Sequence, residues 1–114
     1  MRIRSDVVQK AFGISTATFC LWTTPKGKKT VLPILGKVRG QFSFLSFEDC
    51  MKIRIGQELK DHKIQGPEFI RNTVNQYKNT LKEIVINKKH SSLVIDLVSM
   101  RKEVRLLLKN DTND

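Results

Sequence analysis

The residues of this 114-residue chain that could do chemistry fall into two sets. The first holds the catalytic and metal-ligating types. Cys20 and Cys50 stand alone, with no CxxC and no His at ligand spacing, so neither a disulfide framework nor a zinc site is indicated. His62 and His90 lie far apart on polar stretches, where a solvated imidazole is the better reading. Glu48 and Asp49 open an apolar-periodic stretch, so helix capping explains them better than paired-carboxylate catalysis. "GKVRG" lacks the Walker spacing that cradles phosphate. From this set no enzyme, metal or cofactor is expected.

The second set is Ser15, Thr16 and Thr18, followed by Lys26, Lys28, Lys29, Lys37 and Arg39. Short hydroxyl side chains at the start of a helix let its N–H groups approach an anion. They can also bond to base edges in a DNA groove. Lysine and arginine add a sequence-independent attraction to phosphate. The charge distribution singles out the same half of the chain. Formal net charge is +10, and residues 1–45 hold eight basic side chains against one acid, Asp6, a local +7. The remaining residues carry thirteen basic and ten acidic side chains, only +3. A polyanionic partner is therefore expected on the N-terminal side. The longest apolar runs are far shorter than a membrane span, and no signal-peptide core is present, so a cytoplasmic setting is expected.

Several elements would have to position these groups. "SDVVQKAF" begins with Ser5, a good N-cap, and puts Val7, Val8, Ala11 and Phe12 on one helical face. Gly13 suits a left-handed residue closing that helix, Ile14 a core plug, and Ser15 the cap of a second helix through Trp22. Pro25 and Gly27 end it. "TVLPIL" and "QFSFL" around the glycines of "GKVRG" predict a β-hairpin with Lys37 and Arg39 at its tip. "SFEDCMKIRIGQELKDHKI" predicts a helix with a Ser46–Asp49 capping box and a stripe of Met51, Ile55 and Leu59. A further helix is expected over "GPEFIRNTVNQYKNTLKEI", with Pro67 at its first position. Val85–Ile86 is either a short strand or a fraying helix end. Ser91 or Ser92 can then cap a last helix, in which Leu93, Leu97, Met100, Val104 and Leu107 repeat with spacing 4-3-4-3. That spacing is the seam of a short coiled coil, expected to join two copies, or else to fold back on its own domain.

The order helix, turn, helix, basic hairpin, long helix resembles the DNA-binding domain of MerR-like regulators over roughly residues 3–75. The likeness rests on "RIRSDVVQKAFGISTATFCLW", a glycine-containing wing, and "FSFLSFEDCMKIRIGQELKDHKI". It implies a winged helix-turn-helix in which Ser15, Thr16 and Thr18 face DNA while Ile14, Phe19 and Trp22 are structural. Cys20 stands where many relatives have a phosphate-reaching arginine, and Lys63 where they have a glycine before isoleucine. No effector-binding cysteine cluster follows, so metal sensing is not implied.

Together these readings give a mostly α chain with three parts. Residues 1–75 are expected to be a winged helix-turn-helix domain, 76–110 a helical dimerisation region and 111–114 a disordered tail. The expected function is sequence-specific binding of double-stranded DNA by a homodimeric transcriptional regulator. Alternatives are an excisionase-like or architectural DNA-bending factor, and a protein-interaction module such as an antitoxin or host-factor inhibitor.

Overall fold

A computed structural model of the chain describes residues 2–23, 44–64, 66–88 and 91–112. They form β1 (Arg2–Arg4), α1 (Ser5–Phe12), α2 (Thr16–Thr23), β2 (Phe44–Ser46), α3 (Phe47–Asp61), α4 (Pro67–Val74), β3 (Glu83–Lys88), β4 (Ser91–Asp96) and α5 (Leu97–Thr112). Helix predominates, with two small antiparallel sheets, β1–β2 and β3–β4. Lys26, Lys28, Lys29, Lys37, Arg39 and the predicted hairpin up to residue 43 lie outside the described residues, as does the side chain of Trp22. Phe44–Ser46 do form a strand, and it pairs with β1 in the register Arg2↔Ser46, Ile3↔Leu45, Arg4↔Phe44.

The first helix buries Val8 and Phe12, with Val7 and Ala11 half-buried beside them, which is the face the periodicity picks out. Its start differs from expectation. Ser5 is the first helical residue rather than the cap, because Arg4 takes the extended cap position and Asp6 Oδ1 accepts the Val7 N–H. Helix α3 has the full capping box: Ser46 Oγ accepts the Asp49 N–H at 3.1 Å, and Asp49 Oδ2 accepts the Ser46 N–H at 3.0 Å. Met51, Ile55 and Leu59 on its stripe are fully buried.

The second half corrects the sequence reading at three places. The helix from Pro67 ends at Val74, ten residues early. Asn75 closes it, and Gln76 and Tyr77 then donate back to the Thr73 and Val74 carbonyls in tight turns. Tyr77 is thereby buried, and Arg101 from α5 lies over its ring while donating to its hydroxyl and to the Lys78 and Leu81 carbonyls. A helix through this stretch would forfeit that anchor.

Next, Val85–Ile86 take the strand alternative within Glu83–Lys88, and Ser91–Asp96, where the last helix is expected to start, are a strand too. The two strands pair antiparallel, with Ile84, Ile86, Leu93 and Ile95 on the inner face and Val85 and Val94 as directly paired residues on the outer face. Finally, α5 is capped by Asp96 rather than Ser91 or Ser92, and it runs to Thr112, into the stretch expected to be a disordered tail. Asp96 Oδ1 accepts the N–H groups of Val98 and Ser99, and its Oδ2 accepts the Ser99 hydroxyl. These bonds favour the carboxylate and hold the Asp96 pKa below its ordinary value, most strongly through Ser99.

The supposed dimer seam is the inner face of the chain's own domain. Leu97 and Val104 are fully buried and Met100 nearly so, while Leu107 is half-buried and Leu93 lies on β4 rather than on the helix. Helix α5 packs on α1 and α3, and one hydrophobic core runs from Ile3 to Leu108. Leu97, Met100, Val104 and Leu108 are thus spent in holding the chain's own fold together. Arg105 over the Phe47 ring, and Arg54 bonded to Glu103 at 3.1 Å, tie α5 to α3 at two points.

Candidate nucleic-acid interface

The connection between α1 and α2 takes three residues. Gly13 adopts φ 66°, a left-handed conformation that costs glycine nothing sterically. It donates to the Lys10 carbonyl while Ile14 donates to that of Gln9 at 2.8 Å, and Ile14 turns its side chain into the core. Gln57 of α3 donates to the Phe12 carbonyl at 2.8 Å, which satisfies the end of α1 and fixes the pair against the long helix. Phe19 is buried, so α2 is seated on its inner side.

Ser15 caps α2 as its position suggests, accepting the Thr18 N–H at 3.1 Å. Its hydroxyl also lies 3.0 Å from Thr18 Oγ1, so these two side chains are bonded to each other. Thr16 is different. It is exposed, and its hydroxyl meets Gln9 Oε1 of α1 at 3.1 Å. Ala17 beside it is exposed too, leaving the first turn of α2 small, polar and open. The three predicted contact residues are therefore brought together at one helix start, but with unequal roles. Ser15 and Thr18 build the cap, and Thr16 fronts it.

Gln9 is the residue that sequence reasoning missed. Nothing in its spacing marks it, because its neighbour Thr16 is seven residues away across the turn. Only the close approach of α1 to α2 makes the pair.

Elsewhere among the described residues, several chemistry-bearing groups are engaged in structure. An open groove of about 320 Å³ between α3, β4 and α5 is lined by Arg54, Glu58, Asp96 and Glu103. Both glutamates ion-pair with Arg54, and Asp96 caps α5. Burial, with a smaller contribution from neighbouring Asp49, pushes the Cys50 thiol up to about 12, the reverse of what a nucleophile needs. Among the described residues no group of three or more His, Cys, Asp or Glu could hold a metal ion, and no helix is long and apolar enough to cross a membrane.

Comparison of the chain with protein-family models, with curated proteins and with solved structures finds no match.

Proposed function

We propose that this chain binds double-stranded DNA through its α1–Gly13–α2 unit, as a transcriptional regulator built on a winged helix-turn-helix of MerR-like form. The observation that carries the reading is the open first turn of α2. It is capped by Ser15 and fronted by Thr16, and it lies in the half of the chain that holds a local +7. An exposed helix start with short hydroxyl side chains suits close approach to phosphate and base edges. The basic residues of 24–43, which the resemblance assigns to the loop and wing, would supply the electrostatic term. A binding role also fits the carboxylates better than catalysis does, since Glu58, Glu103 and Asp96 are each committed to an ion pair or a cap.

One observation favours a second reading within DNA binding. The α5 stripe expected to join two half-site readers is packed in the chain's own core. A DNA-bending factor working as single units needs no such joint.

Selection of bound sequences from a random duplex pool, followed by footprinting, tests both. A discrete motif supports the DNA reading, and no enrichment at moderate salt would sink it. A two-fold symmetric footprint favours the regulator, whereas a short asymmetric one with bent DNA favours the second reading. On the selected site, Thr16→Ala should weaken binding by about 1–3 kcal/mol with little change on random duplex. Equal losses on both would remove Thr16 from base contact.

A further inference from the structure

The β1–β2 sheet presents an unusual outer face. Alternation buries Ile3 and Leu45 and leaves Arg2, Arg4, Phe44 and Ser46 outside. Phe44 is 48% exposed although it is large and apolar. The Arg2 guanidinium lies over its ring, 5.1 Å from the centroid, and Arg4 is its direct cross-strand neighbour. A guanidinium stacked on a ring is held by its face, which leaves its N–H edges free to donate in their plane. The exposed ring therefore has a use: it pre-orders an arginine on a surface where a free side chain would lose entropy on binding.

The sheet is also continuous with the start of α2. Arg4 reaches Asp6 in the first turn of α1 at 2.9 Å, and Gln9, one turn further along, meets Thr16 at 3.1 Å. Asp6 and Gln9 are three residues apart on a helix, so their side chains are surface neighbours, about 5–6 Å apart at Cβ. Arg2, Arg4 and Thr16 thus lie along one exposed strip with α1 as its spine.

We infer that Arg2, stacked on Phe44, and Arg4 form a second contact with the phosphodiester backbone of duplex DNA beside the α2 contact. This rests on the DNA-binding reading above and extends it to residues which that reading leaves out. Asp6 holds Arg4 in place, and its negative charge opposes binding while it orients its partner.

The test measures affinity for a mixed-sequence duplex of about 24 base pairs across a salt series, by fluorescence anisotropy on the full chain. Far-ultraviolet circular dichroism checks folding. Arg2→Gln and Arg4→Gln should each weaken binding to every duplex and flatten the log-affinity against log-salt slope by about 0.9. Phe44→Leu removes no charge, yet it should weaken binding by releasing Arg2. Asp6→Asn should tighten binding, a gain that loss of fold cannot imitate. An unchanged slope in the double arginine variant, with wild type binding well, overturns this inference and leaves the DNA reading standing. Failure of wild type to bind any duplex overturns both. Tighter binding to a single strand that vanishes in Phe44→Leu would make the ring a base-stacking platform, and it would overturn the backbone assignment too.

Discussion

Lys63 lies at φ 59°, the one left-handed non-glycine among the described residues. It ends α3 in a defined motif: Lys63 donates to the Lys60 carbonyl at 2.9 Å and Ile64 to that of Leu59 at 3.0 Å, with Leu59 and Ile64 both buried. Gly13 ends α1 in the same way, also followed by a buried isoleucine. The two positions therefore predict opposite substitutions. For an L-residue the left-handed region costs about 1–2 kcal/mol. Glycine relieves that but loses about 0.5–1 kcal/mol of extra freedom on folding. The Lys63 side chain is exposed, so Lys63→Gly should stabilise by roughly 0.5–1 kcal/mol, the difference between those terms. In a chain of this length that raises Tm by about 2–5 °C. Gly13→Ala should cost a similar amount, all of it conformational, because a Cβ there meets nothing within 4 Å. Urea unfolding at neutral pH reads both as shifts in midpoint with an unchanged m-value. A Lys63→Gly variant less stable than wild type by about 1 kcal/mol would refute the reasoning, since that is the result for glycine inside a continuing helix.

Three further perturbations follow from the core and the caps. Val104→Asp puts an unpaired carboxylate at a fully buried position of the monomer core, so the chain should unfold at neutral pH by circular dichroism; a folded, DNA-binding variant would return α5 to an interface role. In a Cys20→Ser background, Cys50 should resist alkylation at pH 8: a thiol raised from 9.0 to about 12 has roughly a thousandth of the usual thiolate. Stability should also fall as pH rises above about 9, because the unfolded thiol ionises first, and Cys50→Ala should flatten that alkaline decline. Asp96 has the opposite sign. Its lowered pKa gives stability that is present above the ordinary carboxylate range and lost as pH falls through the folded value, so Asp96→Asn should flatten the acid limb of a pH–stability curve. If the limb is unchanged, the Asp96 cap contributes nothing to acid unfolding.

What the sequence reveals and what it conceals follow from the range of the forces involved. The Gly13 turn, the Ile14 plug, the Ser15 cap and the Ser46–Asp49 box are all set by residues within a few positions of one another, and each is where the sequence puts it. The end of α4 is not local. It depends on Tyr77 being buried under Arg101, twenty-four residues away, and no window around Tyr77 contains that arginine. The Gln9–Thr16 contact at the candidate interface was hidden for the same reason.

Strand β4 and the start of α5 are concealed for a subtler cause, a coincidence of periods. Leu93, Leu97, Met100, Val104 and Leu107 satisfy a heptad count, yet the first belongs to a strand and the rest to a helix that begins only at Leu97. Ile84, Ile86, Leu93 and Ile95 alternate inward at period two, which Val85 and Val94 on the opposite face disguise as continuous apolar runs. What separates the two periods is Asp96. A carboxylate placed to accept the N–H groups two and three residues ahead marks a helix start. A helix running straight through that point would forgo those cap bonds. Read as a cap, Asp96 ends the strand and starts the helix in one residue. The apolar stripe beyond it is then too short for a stable isolated coil, and its natural place is against α1 and α3 of its own chain.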